Sequence, residues 1–150
     1  MRKRDEWIER IKLVEQEFDL VALAVELLSE QVRADPTVLP KGFQPKDVSR
    51  AAGSLSPTYF VRLFAVFEAG LRQFWRDALE RDTLPPMRDL LDGVASACNI
   101  DHPFLAAAHR VREYRNSLVH ESDEEPDEEF TIGEARRHLT RFFSYLPPDW

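Results

Sequence analysis

SPTYFVRLFAVFEAGLRQFW, residues 56 to 75, is the stretch on which the fold turns. Phe60, Leu63, Phe64, Phe67, Leu71 and Phe74 recur at steps of three and four, the spacing of one face of an α-helix. Arg62, Arg72, Gln73 and Arg76 fall on the other side. An aromatic stripe on this period is core. Ser56-Pro57 reads as an N-cap followed by proline at the first helical position, and Pro85-Pro86 stop the chain. The pattern therefore predicts a helix from Ser56 to about Asp82, with Ala78 closing its apolar face.

Upstream, Trp7, Ile11, Val14, Phe18, Val21, Val25, Leu28 and Val32 alternate steps of four and three. They predict a helix from about Asp5 to Arg33, roughly 40 Å long, lying against one long partner or several shorter ones. Residues 34–55 carry three prolines and two glycines without a period, and read as a loop or short turns. Downstream, a short helix is expected from about Met87 to Cys98. Asp101 then caps another over about 102–122, with Pro103 in its first turn, and a last helix from about Ile132 to Leu146 buries Ala135, Leu139, Phe142 and Phe143. No run alternates apolar and polar residues at strand length, and no repeat is present. The expectation is an all-α fold: a compact bundle of about four to five helices, in a single domain over residues 1–150.

Composition bounds the function. With 150 residues, 43% hydrophobic and 31% charged, the chain is long enough for one substantial core and too apolar for a disordered segment. The net charge of -7 is concentrated: ESDEEPDEEF, residues 121–130, holds seven acidic residues in ten. An acidic whole argues against nucleic-acid binding by charge alone. Cys98 is the only cysteine, and the N-terminus runs into an amphipathic helix without an apolar signal core, so a cytoplasmic location is expected. No apolar stretch approaches the roughly 20 residues that cross a bilayer, so no membrane partner is expected.

The fourth predicted helix carries the candidate chemistry. Phe104, Ala107, Ala108, Val111, Tyr114, Leu118 and Val119 form its apolar face, and Arg115 falls inside that face. His109, Glu113, Asn116 and His120 line the opposite side, with Asn116 and His120 one turn apart. An arginine keeps its proton, so it must meet a carboxylate, reach solvent or line a cleft. Glu68, at the edge of the apolar face of residues 56–82, is the expected partner. On spacing alone a structural Arg115–Glu68 pair and a functional arginine are both open.

RNSLVH, Arg115 to His120, resembles the R-x4-H signature of the HEPN superfamily, in which a polar residue, often asparagine as at Asn116, follows the arginine. The stretch from Ser56 to Trp75 resembles that family's earlier core helix with an internal acid, here Glu68. The resemblance implies a HEPN-like helical fold and a metal-independent endoribonuclease, with no cofactor, RNA rather than DNA as its nucleic acid, and a homodimer whose two motifs face each other across a shared cleft. It implies catalytic roles for Arg115, His120 and Asn116 in a toxin, defence or stress setting, with an inhibitor or antitoxin protein as a further partner. Chemistry agrees: a histidine moves protons near neutrality, and a guanidinium offers planar, bidentate contact to phosphate. Arg115 and His120 stand about 140° apart around one helix and roughly 7.5 Å along it, so two antiparallel copies would bring the arginine of one to the histidine of the other. Arg112 and Arg110 would hold flanking phosphates. One subgroup, the toxins silenced by adenylylation, has a tyrosine two residues after the motif histidine; that position is Ser122 here, so silencing by that route is not expected.

Other chemistries find less support. His102, His109 and His138 match no metal-ligand spacing, so no metal is expected. There is no Gly-rich phosphate loop, no G-x-S-x-G and no helical paired-carboxylate motif. The acidic run after His120 reads as a solvated loop, or as a guard that repels RNA until a basic partner covers it. The alternative to a nuclease is a HEPN-like helical dimer that binds RNA or a partner protein without cutting it.

Overall fold

The computed structural model describes residues 1–120 and 125–150, and the described residues form five α-helices without a strand. They are α1 (Lys3–Ala34), α2 (Pro45–Asp77), α3 (Met87–Cys98), α4 (His102–Val119) and α5 (Ile132–Phe143), with a single 3-10 turn at Pro36–Val38 between the first two. The all-α bundle expected from the periodicities is the architecture observed. Ser122 and the first part of the acidic run lie outside the described residues.

The phenylalanine-rich helix is central, packing on each of the other four. Phe60, Leu63, Phe64, Phe67, Leu71 and Phe74 are all buried, as their spacing requires. Around them gather Ile11 and Val14 of α1, Leu90, Leu91 and Val94 of α3, Ala108 and Val111 of α4, and Leu139, Phe142 and Phe143 of α5. Gly70 lets α1 and α5 approach: a Cβ there would lie 2.9 Å from the Phe143 ring and 3.0 Å from that of Trp7. Both ends of the chain are tied to this core. The Arg4 N–H donates to the Pro148 carbonyl at 3.0 Å, the Arg4 guanidinium donates to the Leu146 carbonyl at 3.1 Å, and the Trp150 ring meets Phe74 edge-on at 5.1 Å.

α2 departs most from expectation. It begins at Pro45 rather than after Ser56, so most of the predicted loop is helix and Pro57 lies inside it. The start is set by Gln44, whose backbone N–H donates to the Asp47 carboxylate at 2.8 Å, the return half of a capping box. Pro57 offers no N–H to the Gly53 carbonyl and crowds it, but both residues are exposed, so water can take the orphaned carbonyl. The extra turns run alongside α1 and bury Val48, and this packing outweighs the local break.

Smaller differences are at helix ends. α2 stops at Asp77, α4 at Val119 and α5 at Phe143, each earlier than expected, as terminal turns loosen. Asp101 holds the N-cap position of α4, but its carboxylate accepts no bond from the helix; its backbone carbonyl takes the Phe104 N–H at 3.0 Å. Leu28 and Val119, expected on apolar faces, are exposed. α5 has a full capping box in which the Thr131 hydroxyl accepts from the Glu134 N–H at 3.1 Å and the Thr131 N–H donates back to the Glu134 carboxylate. No helix among the described residues is long and apolar enough to cross a membrane.

Candidate functional site

α4 presents two different faces to its surroundings. Ala107, Ala108 and Val111 are buried against the bundle, and Tyr114 turns its ring edge-on to Phe60 at 4.7 Å. Phe130 is buried too, 6.0 Å from the Tyr114 ring and 5.8 Å from that of His138. That anchor draws the chain before it back over α4. A cleft of about 460 Å³ is left between residues 125–128 and the C-terminal half of the helix.

Asn116 and His120 both line this cleft, with Tyr114 and Ser117 beside them. The His120 N–H closes the last turn of α4 on the Asn116 carbonyl at 3.0 Å, and its ring stands exposed at the helix end. The Ser117 hydroxyl donates to the Tyr114 carbonyl at 2.6 Å and so is already engaged. Burial, aided by the Glu129 carboxylate, pushes the Tyr114 phenol above its ordinary value of 10. Four carboxylates, of Glu113, Glu125, Asp127 and Glu128, share the lining, against Arg110 as its guanidinium. Arg110 meets Glu128 at 3.1 Å. The cleft is therefore acidic.

Arg115 is on the adjoining face and does not line the cleft. Its guanidinium lies over the Phe64 ring, 4.8 Å from the centroid, and 3.7 Å from a Glu68 oxygen. Its Nε is buried and has no hydrogen-bond partner among the described residues. Glu68 is the carboxylate nominated from the sequence, but it is held more closely by Arg72, whose Nε donates to it at 2.9 Å while another nitrogen donates to the Pro85 carbonyl at 3.0 Å. Arg72 was missed: the apolar period put it on the outer side, although a Glu-x3-Arg spacing on one helix is itself a pairing signal.

Arg112 and His109 belong to a neighbouring groove with Arg88, Asp92 and His102, between α3 and α4. His109 Nε2 is 2.7 Å from Asp92, and the Arg112 Nε donates to His109 Nδ1 at 3.4 Å, so His109 turns away from Asn116 and His120. Arg110 borders both hollows. No three His, Cys, Asp or Glu side chains among the described residues gather closely enough to hold a metal ion.

The site thus joins an exposed imidazole and a carboxamide on one surface, with a half-buried guanidinium one position along the same helix. An imidazole can give or take a proton there, and a guanidinium can stabilise a forming anion only if something brings it to the same atom. Comparison with protein-family models, with curated proteins and with solved structures finds no match.

Proposed function

We propose that the chain is a metal-independent endoribonuclease of the HEPN type, working as a homodimer in a toxin, defence or stress role. Asn116 and His120 on one open cleft, with Arg115 on the adjoining face of the same helix, support this most directly. In the reaction the 2′-hydroxyl of a ribose attacks the adjacent phosphorus in line. Its proton passes to a base, the bond to the 5′ oxygen breaks, and that oxygen takes a proton from an acid. The products are a 2′,3′-cyclic phosphate and a 5′-hydroxyl. His120 serves as acid or base, Arg115 of the facing copy stabilises the pentacoordinate phosphorane, and Asn116 orients the imidazole or a phosphate oxygen. Arg110 and Arg112 hold flanking phosphates once Arg110 is released from Glu128.

The second reading is a non-catalytic HEPN-like dimer that binds RNA or a partner protein, and the four carboxylates around the cleft, which repel phosphate, favour its protein-binding form with a basic partner. Cleavage of labelled total RNA in the presence of EDTA separates the two. Wild type is expected to cut at discrete positions, leaving cyclic-phosphate ends, and His120→Ala, matched in folding and oligomeric state, is expected to lose the cutting. Equal cutting by both proteins would remove His120 from the chemistry, and cutting by neither would leave the binding role.

A further inference from the structure

α1 carries more apolar surface than its neighbours cover. Residues 20–28 read LVALAVELL, apolar at eight of nine positions, and a helix apolar on nearly every side is normally buried. Here it is not. Val21 and Val25 are half-buried on the side toward α2, whereas Leu20 is 68% exposed, Leu23 51% and Leu27 52%, and Leu13 one heptad earlier is 57% exposed. Leu13, Leu20 and Leu27 follow one another at intervals of seven, with Leu23 between, so they form one stripe along the outer side of the helix. The expected seam of Ile11, Val14, Phe18 and Val25 occupies a different side, about 165° away around the helix.

The stripe also outruns the bundle. α1 has 32 residues and α2 33, against 18 in α4 and 12 in α5, so the paired long helices extend well past the shared core. α1 contributes to that core only as far as Phe18.

The charges on α1 say what covers it. Residues 2–12 hold five basic and three acidic side chains, whereas residues 13–32 hold five acidic and no basic ones. A second α1 laid antiparallel about Leu20 brings Arg10 and Lys12 of each helix level with residues 28 to 30 of the other, next to Glu30, while Asp19 lies beside its own copy; laid parallel, every acid of the stretch lies level with its own copy. With the two-fold axis at Leu20, Leu13 meets Leu27 of the second copy and Leu20 meets itself. Lys12, which pairs with Glu9 at 2.7 Å within its own helix, then falls level with the turn between Glu26 and Glu30 of the second copy, on the same side of the seam. Neither of those glutamates has an ion-pair partner among the described residues of its own chain. The exposed leucines sum to several hundred Å², on the order of the largest apolar patch of a monomer and enough for the centre of an interface of roughly 800 Å² per partner.

We propose that the outer face of α1 is a self-association surface, on which two copies of this chain pair antiparallel through Leu13, Leu20, Leu23 and Leu27. The stripe lies outside the α4 cleft, so this pairing does not rest on the ribonuclease reading. A chain using both surfaces assembles as four copies where the two two-fold axes cross at right angles and as a larger assembly otherwise, and one using α1 alone as two.

The test is the mass of the full chain by light scattering after gel filtration, at 5 to about 100 µM as for ordinary dimers, beside the variant Leu20→Glu/Leu27→Glu. Both changes are at exposed helical sites, and far-UV circular dichroism with thermal melting checks that the fold is kept. The variant is expected to have half the mass of wild type or less, two chains if the cleft dimer stands and one if it does not. A monomeric wild type, or a variant of unchanged mass, overturns the proposal, and so does a monomeric wild type whose stripe binds lipid vesicles instead. Orientation is read from single cysteines on a Cys98→Ser background. Leu20→Cys is expected to give a covalent dimer on mild oxidation and Leu27→Cys none; linkage at Leu27 as readily as at Leu20 would overturn the antiparallel arrangement.

Discussion

Arg115 and His120 belong to one motif but sit in opposite environments, and stability measurements separate them. Arg115 covers the Phe64 ring and approaches Glu68. Removing it strips packing and a cation-π contact while Glu68 keeps Arg72, so Arg115→Ala is expected to cost about 1–2 kcal/mol in urea unfolding. His120 is exposed at a helix end, and His120→Ala is expected to stay within about 0.5 kcal/mol of wild type. A similar large loss for both would contradict this geometry. A different histidine governs pH dependence. Burial holds His138 below its ordinary value of 6.5, with Arg110 and Arg137 adding to the effect against the opposing pull of Glu128 and Glu134. The unfolded chain therefore takes up that proton first, so stability falls as pH drops below about 6.5. His138→Gln is expected to flatten the unfolding free energy between pH 5 and about 6.5, measured by denaturant titration at each pH. Much of this neighbourhood was legible in advance. Arg115 stood out because a charge broke an apolar period, and Glu68 followed from the edge of the facing stripe. His109 and Asp92 were not legible as a pair, since they lie on different helices and no local spacing links them.

Among the elements, α3 was read within its bounds, about Met87 to Cys98, where the structure shows Pro86 and the left-handed Asn99, with φ of 51°, bracketing it on both sides. α2 was not, because Ser56-Pro57 is a stronger local start signal than Gln44-Pro45 and only contact with α1 shows that the helix continues through it. The two glycines of α2 put this contrast to a test. At Gly53 an added Cβ meets nothing within 4 Å, so Gly53→Ala is expected to stabilise by about 0.5–1 kcal/mol through reduced freedom of the unfolded chain. At Gly70 the same methyl group runs into Phe143 and Trp7, and Gly70→Ala is expected to destabilise by about 1–3 kcal/mol. Thermal melts of the two variants should move in opposite directions. If both rose, the close approach of α1, α2 and α5 would be looser than described. The outer leucines of α1 went unread for a related reason: one good seam was enough to explain the helix, and a second stripe became visible only once the first had found its partner.

For the whole molecule, the acidity that counted against RNA is concentrated at the place where RNA is proposed to bind. Glu128 occupies Arg110 at the mouth of the cleft. Glu128→Gln is expected to free that guanidinium and tighten RNA binding several-fold at low salt, while the plot of log affinity against log salt steepens by about 0.7, the value of one extra phosphate contact on a single strand. Filter binding of a labelled oligoribonucleotide across a salt series checks it, and an unchanged slope would mean that Arg110 meets no phosphate. The helical class itself was plain in the sequence, because every long periodic segment pointed the same way. The cleft was not, since it depends on the burial of Phe130, a lone aromatic after a run of acids.

The clamp between Arg4 and residues 146–148, with Trp150 resting on Phe74, also sets an order of events during synthesis. The first helix is made early, yet its closing contacts come from residues 146–148, about 140 positions later. At about 5–20 residues per second the ribosome takes on the order of ten seconds to supply them. The nascent α1 exposes its inner seam until α2 follows, and its outer leucines throughout that interval, when chaperones and other nascent copies can reach them.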